Sequence, residues 1–402
     1  AASDVYKRQV GDPLELNFDA LVVGAGYAGA VCARELAERG GKRVLVLERR
    51  DHIGGNAYDR LDGAGVLIHQ YGPHIFHTNN KRVFDWLSRF TVWRDYQHRV
   101  LANLPDGQGG RQTYPVPFNL TSLETAFGPA EGARLGEKLI AAYGAEKKVT
   151  ILELRQARDP EIAALADYVY EHVFVHYTMK QWGQTPEEID PNTTARVPVF
   201  LSRDDRYFQD AYQGMPLEGY TVLFQRMLDH PGITVELGTD ALKRLDLSEG
   251  RICLDGAEFS GPVIYTGQAD ELFAFRFGPL PYRTLDFRFE TLAQDDFQGC
   301  GTVNYTVDED YTRITEFKHL TGQVKPGVTT IVKEYSRAFT GAPGETPYYA
   351  IINPENDRRY AQYRAEAERF PNLHLLGRLA EYKYYNMDAI AARALELAGL
   401  LT

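Results

Sequence analysis

Cysteine is scarce: three in 402 residues, at Cys32, Cys253 and Cys300. They are isolated from one another, so they form neither a zinc motif nor a disulfide framework, and their use fits a reducing cytosol. Long apolar runs are missing too. No stretch approaches the roughly 20 apolar residues that cross a bilayer, which argues against membrane insertion. Positive charge is in deficit, with 44 Lys and Arg against 55 Asp and Glu and a net charge of −11. That balance repels phosphate backbones and argues against a nucleic-acid partner. An anionic ligand must therefore be held by locally concentrated Arg and Lys. Repeats and low-complexity tracts are absent, and the N-terminal AASDVYKRQ lacks the apolar segment of a secretory signal. Its residues 4–9 read as the translation of a transposon-end sequencing adapter, outside the fold.

What remains is a globular composition, 44% apolar and 25% charged, on a chain long enough for two or three domains. The strongest pattern is FDALVVGAGYAGAVCARELAERGGKRVLVLERR, residues 18–50. An apolar run feeds Gly24-x-Gly26-x-x-Gly29, an amphipathic helix follows to about Arg39, and a second apolar run ends in Glu48. This is a βαβ dinucleotide unit in its required context. Gly24 permits the tight turn, Gly26 lets a pyrophosphate approach the backbone, and Gly29 lets helix pack on strand. The helix N-terminus faces the phosphates, and Glu48 stands where an acid accepts hydrogen bonds from the adenosine ribose.

The segment after Glu48 selects the cofactor. Arg49-Arg50, then Gly54-Gly55-Asn56, is a basic pair followed by a Gly-Gly turn, as in proteins that bury an extended FAD. Tyr265-Thr266-Gly267 resembles the Ala-Thr-Gly turn that such proteins set beside the cofactor, and a late strand ending in Gly377-Arg378 resembles their C-terminal flavin contact. FAD is therefore expected rather than NAD. Residues 124–189, rich in Ala, Leu, Glu, Lys and Arg, predict helices. RTLDFRFET, GTVNYTV and TTIVKEYS alternate polar and apolar residues and predict an antiparallel sheet. The fold class is thus α/β: an FAD-binding Rossmann-like core with an inserted helical domain and an antiparallel β-sheet domain.

Eight further stretches follow in order: HIGGNAY, YGPHIFHTNN, YTMKQWG, ARVPV, DDRYFQDAYQGMP, EGYTVLF, YTRITEFKH and GRLAEYKYYNMD. Together they resemble bacterial UDP-galactopyranose mutase from about Phe18 onward. The resemblance implies interconversion of UDP-galactopyranose and UDP-galactofuranose without net redox change. Reduced FAD would act through N5 as a nucleophile on the anomeric carbon, with NADPH or another reductant as electron source. It also implies a cytoplasmic enzyme of cell-wall biogenesis, with a homo-oligomer among its assemblies. The expected division is core at 10–95, a sheet segment at 96–117, and a helical substrate domain at 118–213 with a mobile lid at about 196–213. Core follows at 214–275, sheet domain at 276–364 and core again at 365–402.

Residue by residue, the family pattern places Arg196 and Arg313 on the two phosphates, where arginine's planar fork suits the oxygens. Arg283 is a further substrate-side or conformational contact. Tyr177 matches the uracil-stacking position, flanked by Phe174, Thr178 and Trp182. Tyr207 lies in the lid. His74 and His77 shape the isoalloxazine pocket. Arg378 contacts the flavin, Tyr349 and Tyr384 hydrogen-bond the diphosphate, and Met387 opens the final helix against the flavin edge. Arg196, Arg313, His74, Tyr349 and Tyr384 form the catalytic set. Asn386 departs from the family, where aspartate is common, and enters as a substrate contact without the charge. His172 and His176, four residues apart, have no third ligand or HExxH frame, so no metal is expected. The competing readings are an FAD-dependent oxidoreductase of similar fold and a flavin-free carrier of the GDP-dissociation-inhibitor type. The Arg and Tyr groups oppose the first, and the intact glycine turns oppose the second.

Overall fold

The computed structural model describes residues 17–188 and 198–402. At its centre is a five-stranded sheet with all pairs parallel, ordered Ile233–Glu236, Val44–Leu47, Ala20–Val23, Val263–Tyr265, Leu373–Leu375. Side chains alternate across a strand, and here both faces are apolar. Val22, Val44, Val46 and Ile264 enter one core, with helices Tyr27–Glu38 and Met387–Leu401. Leu21, Leu45, Leu47 and Val263 enter another, with Phe273, Tyr363 and Phe370. Burial on both faces explains why these strands are short unbroken apolar runs. Gly29 makes the close packing possible: a Cβ there would lie 1.9 Å from the Gly24 carbonyl oxygen.

A second sheet has seven strands, ordered Tyr349–Ala350, Tyr282–Leu292, Thr329–Ala338, Arg313–Glu316, Thr302–Tyr305, Val100–Pro105, Arg111–Val116. The alternation of RTLDFRFET and TTIVKEYS does yield an antiparallel pair ten residues long in register. The sheet as a whole is mixed, however, because Thr302–Tyr305 runs parallel to Val100–Pro105. That correction has a simple cause: almost two hundred residues separate these strands, so no tight turn dictates their direction.

The remaining bulk is helical: Leu120–Phe127, Pro129–Tyr143, Ile151–Arg155 and Pro160–Val169, around its own apolar core. Pro160–Val169 is capped by Asp159, whose carboxylate accepts from the Glu161 and Ile162 N–H groups. It buries Ile162, Leu165, Ala166 and Val169, one helical stripe. The chain then widens into a π-turn, Tyr170–Val175, before resuming as an α-helix, His176–Trp182.

Candidate active site

A cleft of 1210 Å³ runs over the carboxyl ends of the parallel strands. It exceeds the ~300–1,000 Å³ of drug-sized pockets and suits an extended dinucleotide. Its floor is two glycine turns in backbone contact: a Cβ on Gly55 (φ +55°) would stand 2.8 Å from the Gly26 Cα. Glu48, buried, ties them together. Its carboxylate accepts from the Ala25 N–H and the Arg50 N–H, both at 2.8 Å. Each oxygen keeps a lone pair for a ribose hydroxyl. Thr266 donates to the Val23 carbonyl at 2.6 Å, closing the crossover behind Gly24. Gly267 also lines the cleft. Arg49 bridges Glu271 at 2.8 Å and Asp240 at 3.5 Å. Asn56 accepts from Arg50 at 3.0 Å. These groups fit a dinucleotide.

At the other end, Gly377, Arg378, Met387 and His74 line the cleft. The N-terminus of helix Met387–Leu401 comes to this wall. Arg378 donates to the Tyr385 carbonyl at 2.7 Å, and its guanidinium lies 4.5 Å above the Tyr384 ring. His74 Nδ1 lies 2.8 Å from the Gly72 carbonyl. A carbonyl only accepts, so Nδ1 carries the proton and Nε2 is left as an acceptor. Burial holds the ring neutral, with a pKa pushed down to about 3; neighbouring His69, Arg378 and Arg313 add to the effect.

Arg313 opens the adjoining cluster. It stands on the strand beside Glu334, to which its Nε donates. Burial alone would lower the guanidinium pKa, but Glu334 outweighs that and raises it. Glu334 is 1% exposed. The phenols of Tyr177 and Tyr349 lie within electrostatic reach of the pair, and burial raises both their pKa values. They are therefore neutral hydrogen-bond donors around a fixed cation. Tyr349 and Tyr384 stack with ring centroids 6.4 Å apart, and Trp182 lies 5.8 Å from Tyr349. Cation and donors converge as a pyrophosphate requires.

The π-turn explains how one continuous helix serves both core and site, since such bulges shift the register of the faces. Before it, the buried stripe packs inward; after it, Tyr177 and Trp182 come to the site side, while Thr178 is buried. Phe174 differs from expectation. Its ring is 1% exposed inside the helical core, so it offers no face for stacking on a base. The histidine pair is also divided: His172 stacks on Tyr168 at 4.2 Å, while His176 faces Glu171 at 3.6 Å.

Arg283 is a strut rather than a substrate contact. It is buried, and it donates to the Gln181 carbonyl (2.9 Å), the Lys180 carbonyl (3.3 Å) and Ser336 (3.2 Å). These carbonyls end the helix that carries Tyr177, where cations are favourable. Three of its five N–H donors are committed there. His77 also departs from its expected place. It does not line the cleft; it pairs with Asp210 at 2.9 Å and stacks on Phe208 at 3.5 Å. Phe208 and Asp210 belong to the expected lid, and the backbone N–H of Tyr207 donates to the His98 carbonyl at 2.7 Å. Asn386 occupies the N-cap position of the last helix, exposed and without a side-chain capping bond. Arg196 lies outside the described residues.

Three imidazoles near the site are neutral, His69 and His98 buried and His74 half-buried at the cleft wall: His74 and His98 are pushed down to about 3 and His69 to about 4. Burial is the leading cause in each. Unfolded, each takes up a proton near its ordinary value of 6.5. Between those values the unfolded chain binds more protons, so stability is lost as pH falls from about 6.5 toward 4. Three such groups give a limiting slope of about 4 kcal/mol per pH unit, at ~1.4 per proton. Denaturant titrations across that range should show the slope, and His98→Gln should remove about a third of it.

Several residues of the site escape a motif reading. Glu334 shares one face of its strand with Thr330, Val332 and Ser336, so an inward carboxylate was marked by the period-2 alternation of TTIVKEYS. Arg50 bonds Asn56 and Thr346 and covers the Tyr71 ring at 3.9 Å, linking the nucleotide core to the sheet domain. Nothing local in the sequence signals that pairing. Asp296, Glu316 and His319 form a compact group elsewhere. The Glu316 carboxylate already accepts from the Phe297 and Gln298 N–H groups and Thr329.

Comparison with known proteins bears on the family and the fold. A family model described as UDP-galactopyranose mutase matches residues 172–384, and a NAD(P)-binding Rossmann-like domain matches residues 22–90. A UDP-galactopyranose mutase of Mycoplasma pneumoniae is 36% identical over 389 residues, 96% of each chain. A dTDP-fucopyranose mutase of Escherichia coli is 36% identical over 383 residues, 94% of this chain and 97% of its own. A solved structure of reduced UDP-galactopyranose mutase superposes with a TM-score of 0.69 at 16% identity, covering 95% of this chain and 93% of that one. Putrescine oxidase shares the fold at a TM-score of 0.59 and 13% identity. The sequence relatives span nearly the whole chain and decide the matter: the protein belongs to the UDP-galactopyranose mutase family.

Proposed function

We propose that the chain interconverts UDP-galactopyranose and UDP-galactofuranose, with FAD in its reduced form seated in the dinucleotide cleft. The observation that carries this reading is half-buried Arg313 paired with buried Glu334 and ringed by Tyr177 and Tyr349, next to the cleft end lined by His74 and Arg378. An amine- or carotenoid-oxidising site needs an apolar channel there; fixed cation and phenols suit a diphosphate leaving group. Gly24, Gly26, Gly29, Gly55, Glu48 and Arg49 would hold the adenosine diphosphate half of the cofactor, and His74, Arg378 and Met387 the flavin half. When bound, reduced FAD supplies an electron-rich nucleophile for the anomeric carbon.

The protein's part is positioning and charge. Arg313 stabilises the negative charge that grows on the departing diphosphate, already oriented by Glu334 before substrate arrives. Tyr349 and Tyr384 donate hydrogen bonds to its oxygens, Tyr177 stacks on the uracil, and Arg196 is assigned to the same diphosphate by the family pattern. His74, neutral, presents Nε2 as an acceptor. Tyr207 and the loop at 202–214 would cover the site and exclude water. NADPH or another donor supplies the electrons, and action in the cytoplasm is supported by three unpaired cysteines.

The dTDP-fucopyranose mutase relative, equal in identity, favours a second substrate class, a thymidine-diphosphate pyranose. Product analysis with dithionite-reduced enzyme separates the two. Conversion of UDP-galactofuranose to the pyranose supports the first; turnover of dTDP-fucose alone supports the second. Tyr177→Ala should weaken UDP binding ten- to a hundredfold, since losing a base-stacking ring costs about 1–3 kcal/mol. FAD content should stay unchanged. Equal UDP affinity by calorimetry would remove the stacking role.

A further inference from the structure

We propose that Phe275 is the stacking platform for the purine of the dinucleotide, an inference that rests on the FAD reading above. The cleft follows a fixed order. Phosphates belong at the glycine turns, and the ribose belongs at Glu48. The purine therefore lies beyond Glu48. That end is bounded by Thr239–Leu242 after one strand and, after another, by residues 268–281, a short helix (Ala269–Leu272) and the loop that follows it. Arg49 draws these two segments together through Asp240 and Glu271. Phe275, four residues past Glu271, lines the cleft and is 48% exposed.

The backbone beneath it is strained. Ala274 and Phe275 are consecutive non-glycine residues in the left-handed region, at φ +51° and +57°. Strain of this kind is unfavourable for a residue with a side chain, and it gathers at ligand clamps. The loop does not relax, because it is pinned all along its length. The Phe275 N–H donates to the Asp270 carbonyl at 2.8 Å, and the Leu280 N–H donates to the buried Asp270 carboxylate at 2.8 Å. The Phe277 N–H donates to the Tyr363 hydroxyl at 3.0 Å, which donates in turn to the Gly278 carbonyl at 2.6 Å. Arg276 pairs with Glu366, and Arg359 donates to the Pro279 carbonyl at 2.7 Å. All this rigidity holds a half-exposed aromatic ring at the mouth of a nucleotide cleft. A flat apolar face in that place suits a flat base, and the arrangement is complete before the ligand arrives.

The test is reconstitution of the apoprotein with FAD or with FMN, which carries the flavin but no purine, followed by flavin fluorescence. Phe275→Ala should weaken FAD binding ten- to a hundredfold, the range of base–aromatic stacking, and leave FMN binding and apoprotein melting unchanged. Phe275→Tyr, which keeps the ring, should bind FAD within threefold of the wild type. Unchanged FAD affinity in Phe275→Ala overturns the proposal. So does an equal loss for FAD and FMN, which would make the residue a support of the pocket as a whole. Wild-type protein that binds no flavin would instead overturn the cofactor reading itself.

Discussion

Arg313→Ala is expected to cut turnover at least a thousandfold while the protein still purifies with its flavin. Removing one preorganised donor from a site of developing charge typically lowers kcat by 10²–10³, and here the donor is a full cation, half-buried and held by a buried carboxylate. The substitution has a second consequence, because Glu334 would be left buried and unpaired, at about 3–5 kcal/mol of stability. The two effects separate in the double variant Arg313→Ala/Glu334→Gln. Its melting temperature should recover most of the loss, and its turnover should not recover at all. Glu334→Gln alone should keep Arg313 in place by a neutral hydrogen bond and lose about tenfold in kcat, with KM little changed. Near-normal turnover of Arg313→Ala under dithionite would end the phosphate assignment.

The second large effect is expected at Gly29. A methyl group there would sit 1.9 Å from the Gly24 carbonyl oxygen, a backbone atom that cannot swing aside. The helix must back away from its strand, and the glycine turns that touch at Gly26 and Gly55 must part with it. Gly29→Ala should therefore emerge insoluble, or soluble and colourless. Ala28→Gly, the reverse change one residue earlier, removes a methyl rather than adding one and should stay yellow. Flavin absorbance of the purified protein decides between them. A yellow, active Gly29→Ala would mean that the helix can shift without loss of the cofactor.

How much of this is legible in the sequence depends on the range of the interaction. The βαβ unit is legible because its requirements are local: glycines at fixed spacing, then a helix, then an acid at a strand end. The long pair Tyr282–Leu292 and Thr329–Ala338 is legible because alternation marks a half-buried strand. The Thr302–Tyr305 partner is not, since parallel pairing over a long separation leaves no turn signal. Among the site residues, Tyr177 and Trp182 can be assigned by motif, yet Phe174 in the same helix points into the core. A π-turn breaks the 3.6-residue period on which a face assignment depends, and no residue type announces it. Arg283 shows the complementary limit. An arginine within a strand looks ready for an anion until the structure shows it holding the carbonyls at a helix end. Family motifs mark positions that matter without stating whether they touch substrate or hold up what does.

The return of the chain to its starting sheet has an outcome for biogenesis. Strand Leu373–Leu375 pairs with Val263–Tyr265, and helix Met387–Leu401 packs on Tyr27–Glu38, so the flavin end of the cleft joins residues more than 300 positions apart. A ribosome-bound chain that has exposed its glycine turns still lacks Arg378 and the helix that faces the flavin. On the FAD reading, stable cofactor retention is thus expected only once synthesis has run through the last helix, and a chain truncated before Met387 should purify without flavin absorbance.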